Sequence, residues 1–239
     1  MKKTLLFVFA HVCAIFLFSC STNEAITCYL PSATISANSP LFPGATLLLN
    51  TPTGYESDVS YNWSGPNNFQ SNLQNPAISD VSSSMAGEYK LKTTKGICES
   101  IESSVLVEVN TPNIPCNSDN NTIVFNDNNK YPIYYVYLGK LNDNYSLEAN
   151  GYGASLDIEF ADYVTPEPGI YSICNDCPTS FLKSNEVCVT LYYNSNYSNA
   201  REGFVYISKI NGKLVAQFCD LKFQFNSFSY TVSSKLTVR

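Results

Sequence analysis

From residue 34 to the C-terminus, apolar and polar residues alternate in short runs, with Gly, Pro, Asn and Ser recurring every 8 to 12 residues between them. Runs of this length, rich in Val, Ile, Thr, Tyr and Phe, mark half-buried strands. They predict strands near 34–37, 45–49, 59–64, 76–78, 87–93 and 100–109. Further along they predict about eight more, at 122–126, 133–141, 146–152, 155–161, 169–174, 186–193, 203–210 and 213–225, with 230–238 closing the sheet. Ile210-Asn211-Gly212-Lys213 is the clearest turn, because Asn-Gly between alternating strands suits a two-residue hairpin. No stretch has helical periodicity, so the expected class is all-β.

The alternation lapses over 111–121, which carries two prolines, and a linker is expected there. It separates a first β-domain, 28–110, from a second antiparallel β-sandwich or barrel, 122–239. Ahead of both, Met1-Lys2-Lys3 leads into an apolar run from Leu5 to Phe18. That is the pattern of a secretory signal peptide, residues 1–19, and is shorter than the ~20 apolar residues a spanning helix needs.

Charge and cysteine content narrow the chemistry. Residues 1–19 contain two lysines, no acid and the only histidine, His11, so the mature charge is 12 − 20 = −8. An acidic chain has no footprint for nucleic acid, where neutralised phosphates supply most of the affinity. Without histidine in the mature chain, Ser-His-Asp and Cys-His nucleophile pairs and His metal ligands are excluded. No cofactor and no catalytic residue is assigned. Export places the cysteines in an oxidising compartment, where disulfides are expected.

Two stretches carry resemblances. Leu17-Phe18-Ser19-Cys20 resembles the bacterial lipobox, with an aliphatic residue at −3 and a small one at −1, although Phe18 departs from the small residue usual at −2. The resemblance implies that Cys20 is lipidated and residues 20–27 form a tether, with Ser21 directing the protein to the cell outer membrane. The alternative is ordinary cleavage beside Ser19 or Ser21. Tyr61-Asn62-Trp63-Ser64-Gly65-Pro66, then Asn75-Pro76-Ala77-Ile78, Ala86-Gly87-Glu88-Tyr89 and Gly96-Ile97-Cys98 together resemble the immunoglobulin-like (PKD/Ig-like) repeats of Bacteroidetes-type surface lipoproteins. This implies that Trp63 is the core tryptophan of the third strand, that Tyr89 forms a tyrosine corner, and that leucines replace the antibody-type disulfide. It further implies that Cys28 and Cys98, at the starts of neighbouring first and last strands, are bonded.

Four features could carry chemistry. Tyr134 and Tyr135 lie in a run, Tyr131–Tyr137, that is apolar on both faces; exposed rings there could stack on sugars, or the tyrosines could simply fill a small sandwich. Asp157 and Glu159 share one face of a strand near Asp162, as paired glycosidase carboxylates or as exposed alternation. Cys174-Asn175-Asp176-Cys177, with Cys188 and Cys219, reads as structural disulfides before zinc or redox chemistry, and the connectivity is open. Asp119 and Asp127 lack the ordered spacing of a calcium loop, so no metal is assigned. The expectation is a surface binding or adhesion module for a glycan or protein, in contact with the membrane only through its lipid. The alternatives are an envelope spacer or, less favoured, a small carboxylate glycosidase.

Overall fold

A computed structural model describes residues 34–51, 58–126, 128–141, 144–161, 165–174, 177 and 182–239. The described chain is all-β, and its buried apolar residues form two separate cores.

The first core belongs to an immunoglobulin-like sandwich. Its strands are β1 (Ser36–Ala37), β2 (Leu47–Asn50), β3 (Ser60–Gly65), β4 (Phe69–Ser71), β5 (Ala77–Ile78), β6 (Gly87–Lys95), β7 (Cys98–Glu99) and β8 (Ser103–Val107). One sheet runs β1-β2-β5, and the other runs β4-β3-β6 with β7 and β8 both on the free side of β6. A parallel bridge from Leu41 to Val109 ties the leading segment to the second sheet. Alternation does the packing: Leu47 and Leu49 point inward from β2 while Leu48 stays exposed. Trp63 is completely buried and paired directly with Leu91 of β6, so leucines and the indole fill the place a disulfide would take. The Tyr89 hydroxyl donates to the Met85 carbonyl at 3.0 Å, which closes the tyrosine corner. Two details differ from the expected strands. The run expected over 100–109 forms only β8, with the short β7 lying just ahead of it, and β4 is an additional strand of three residues, too short to show a period.

The second core lies inside a closed barrel. Its strands are β9 (Thr122–Phe125), β10 (Lys130–Leu141), β11 (Asn144–Gly151), β12 (Ala154–Phe160), β13 (Gly169–Ile173), β14 (Glu186–Tyr193), β15 (Asn196–Asn199), β16 (Phe204–Ile210), β17 (Lys213–Phe225) and β18 (Phe228–Thr237). The order β12-β11-β10-β9-β18-β17-β16-β13-β14 returns on itself because β14 also pairs with β12. The described barrel strands pair antiparallel except for two residue pairs joining β13 to β14. Asn211 and Gly212 both have positive φ, as the expected hairpin requires. Asn194 and Ser195 repeat that geometry between β14 and β15, and without a glycine the turn leaves no signal in the sequence.

The expected linker is fastened along its second half. Cys116 is bonded to Cys219 of β17, with Cα atoms 5.8 Å apart and a sequence separation of 103. Gln217 donates its side-chain amide to the Cys116 carbonyl at 2.8 Å, and the Asn121 N–H reaches the Lys235 carbonyl at 2.7 Å. A second disulfide joins Cys177 to Cys188, and Cys174 is free. Cys98 is also disulfide-bonded. Its expected partner Cys28, like Cys20, Asp127 and Asp162, lies outside the described residues.

Candidate functional site

The outer face of β10, β11, β12, β14 and β15 gathers most of the residues that invite a chemical reading. It begins with an irregularity in β10, where Ile133 is opposite Gly151 but Tyr135 is opposite Asn150, leaving Tyr134 as the extra residue of a bulge. Ile133 and Val136 are buried, whereas Tyr134 and Tyr135 are 59% and 49% exposed. The bulge thus resolves how a run apolar on both faces is accommodated: aliphatic groups enter the core and aromatic rings leave it. Tyr137 also points outward and lies nearly parallel to Tyr135, centroids 6.1 Å apart and planes 16° apart. The absence of a side chain at Gly139 permits this placement, because a Cβ there would collide with the Tyr137 ring.

Strand register then lays out two rows. Tyr135, Asn150, Ser155, Tyr192 and Tyr197 form one, and Tyr137, Glu148, Asp157, Thr190 and Asn199 form the other. Ser146, Glu159 and Cys188 continue the face beyond them. Each row crosses four strand spacings, about 19 Å at ~4.8 Å per step. Tyr192 and Tyr197 make a second aromatic pair at the far end, with centroids 6.2 Å apart. A depression of about 290 Å³ lies beside them, lined by Ser155, Tyr192, Tyr197 and the turn before β15.

The strip between the aromatic pairs is acidic. Ser146 donates its hydroxyl to the Asp157 carboxylate, and Thr190 donates to the Asn199 side chain at 3.0 Å. Burial raises the Asp157 pKa, and Glu148 opposite adds to the rise, against the opposing hydrogen bonds from Ser146 and the Ile158 N–H. Burial, then the Asp157 charge, raises that of Glu159, whose Oε2 is enclosed without a hydrogen-bond partner among the described residues. The Tyr192 hydroxyl is likewise raised, first by burial and then by Asp157, Glu159, Tyr197 and Glu148. These groups therefore feel one another across three strands.

The other expected features fall elsewhere. Cys177 is bonded to Cys188 and not to Cys174, so the CxxC pair is divided. Asp119 is paired with Lys130 beside the depression next to Cys116. No group of three metal-ligating side chains converges among the described residues. Tyr137, Glu148, Tyr192 and Tyr197 were not singled out by sequence reasoning. What unites them is strand register across β10 to β15, which no local pattern encodes.

No protein-family model matches this chain, and no curated protein matches it. Among solved structures it is similar to the mouse coronavirus receptor-binding domain complexed with its murine receptor, at 12% identity and a TM-score of 0.29, covering 87% of this chain and 96% of the other. It is also similar to Sidekick-1 immunoglobulin domains 1–5, at 10% identity and a TM-score of 0.25, covering 87% of this chain and 40% of that one. Superpositions this loose carry no argument. The class rests on the chain's own topology: an immunoglobulin-like sandwich followed by a closed antiparallel barrel, with its notable chemistry spread over an open face.

Proposed function

We propose that this is an exported protein of the cell outer membrane, lipidated at Cys20, that captures a glycan on the outer face of β10, β11, β12, β14 and β15. In this reading the sandwich is the spacer between the anchor and the barrel. The observation that carries the reading is the placement of two tyrosine pairs, Tyr135 with Tyr137 and Tyr192 with Tyr197, at opposite ends of a polar strip. Tyrosine faces stack on the C–H faces of sugar rings while hydroxyl, amide and carboxylate groups take the sugar hydroxyls. Tyr134 adds a further exposed ring at the bulge.

The test is a glycan array probed with the chain from residue 21 onward, followed by calorimetry on the variants Tyr135→Ala and Tyr192→Ala. Each ring should contribute about 0.5–1.5 kcal/mol, so each variant should bind about 2- to 10-fold more weakly with unchanged circular dichroism. Full affinity in both variants would refute the site. Hydrolysis of a bound glycan, abolished by Asp157→Asn or Glu159→Gln, would replace capture with catalysis.

A further inference from the structure

Glu148 and Asp157 stand directly opposite each other on β11 and β12, and Glu159 lies two residues further along the same face. Like charges directly opposite on neighbouring strands are destabilising. Only the hydrogen bonds from Ser146 and the Ile158 N–H to Asp157 offset them, and among the described residues no positive side chain does. No Lys or Arg stands on the outward face of β11, β12, β14 or β15, or of β10 between Tyr135 and Gly139. Lys140 lies over the Tyr145 ring instead, and none of the three acids has an ion pair among the described residues. The acids follow the strands and do not converge on a point, so a single ion cannot satisfy all three. Charge complementarity calls for several positive groups spaced along an extended ligand. The flanking tyrosines suit such a ligand too, because their ring faces attract cations as well as stacking on sugars.

We infer that the ligand of this face is a cationic glycan: an amino-sugar polymer whose unacetylated, protonated amines sit against Glu148, Asp157 and Glu159 while its rings stack on the tyrosine pairs. This rests on the glycan-capture reading above and adds the charge of the sugar to it.

Matched probes separate the two claims. Binding of a glucosamine tetramer and an N-acetylglucosamine tetramer to the chain from residue 21 onward would be measured by calorimetry at mildly acidic pH, with oligolysine as a third probe. The two sugars share a backbone and differ only in whether the nitrogen is a protonated amine or a neutral amide. The glucosamine tetramer should bind about tenfold more tightly, the scale of a few partly screened ion pairs. That preference should shrink as ionic strength rises from about 0.01 to about 0.15 M and the screening length falls from about 30 to about 8 Å. Glu148→Gln and Asp157→Asn, both close to isosteric, should together remove most of the preference, each weakening the glucosamine tetramer more than the acetylated one. Equal binding of the two tetramers, or a preference that survives both substitutions, would overturn the inference and leave glycan capture standing. Oligolysine binding as tightly as the glucosamine tetramer would also overturn it, because charge alone would then be recognised. A folded chain that binds no sugar on the array would remove the capture reading itself.

Discussion

Asp157→Asn should stabilise the barrel at neutral pH, and the gain should vanish in acid. In the native chain Asp157 is partly buried and faces Glu148 across a strand pair, and both effects raise its pKa from 3.8. At a charge separation of about 6 Å the repulsion is about 0.7 kcal/mol with bulk-water screening and about 2.8 kcal/mol at an effective dielectric near 20. Measured cross-strand pairs fall at roughly 0.2–1 kcal/mol, so the realistic value lies around the low end of that interval. The hydrogen bond from Ser146 survives, because the asparagine side-chain oxygen accepts it as the carboxylate does. The sign follows from proton binding. Between the unfolded and folded pKa values the native state holds more protons, so stability falls as pH rises through that window. The penalty is complete above the folded pKa and absent below the unfolded one, about 3.9. The variant should therefore gain roughly 0.5–1 kcal/mol at pH 7, which is about 2–4 °C in Tm for a unit of this size, and match the parent near pH 3. Trp63, the only tryptophan, sits in the sandwich, so its emission does not report on the barrel. Thermal unfolding of the barrel is instead followed by far-ultraviolet circular dichroism and tyrosine emission. A loss of stability at pH 7, or a gain independent of pH, would refute the reasoning.

Trp63→Ala should cost the sandwich about 3–5 kcal/mol, the range for deleting a large aromatic from a core. Limited proteolysis should then cut within 34–110 while the barrel resists, and simultaneous loss of both units would contradict two independent cores. If Cys20 is lipidated as proposed, Cys20→Ala should move the protein from the detergent to the aqueous phase on partitioning, because acyl chains would supply the membrane affinity. Unchanged partitioning would remove the lipid anchor.

Strands were legible wherever period-2 alternation ran for five residues or more, as along β12, where every second residue from Ala154 to Phe160 is buried. Position within the sandwich was legible too, since the spacing from Trp63 to Tyr89 marked two strands whose roles are unusual. β15 was hidden because Asn194 and Ser195 make the hairpin turn without glycine. The outer face was only partly legible. Asp157 and Glu159 could be placed on one face because they lie two apart on a single strand. That Glu148 meets Asp157 depends on the register of a hairpin, and that Tyr192 joins them depends on the closing pair β12–β14, in which Ser155 meets Tyr192. The exposure of Tyr135 depended on a bulge that shifts the inward–outward phase by one residue, a displacement that alternation alone does not show.

The bond between Cys116 and Cys219 also determines how the molecule answers a pull. Tension arriving from upstream reaches Cys116 and can cross directly into β17, bypassing the loop closed by the two sulfurs, whose ends are 103 apart in sequence. Stretched between that point and Arg239, the barrel can pay out only the segment beyond the bridge, 239 − 219 = 20 residues. That is about 70 Å of extended chain at ~3.4 Å per residue, against about 420 Å if the bridge is reduced. Strands β10 to β15, and with them the whole aromatic and acidic face, lie within the bypassed loop. A pull applied between the upstream segment and Arg239 can fray the last hairpin, but the strands of that face stay out of that load path until a sulfur–sulfur bond is broken.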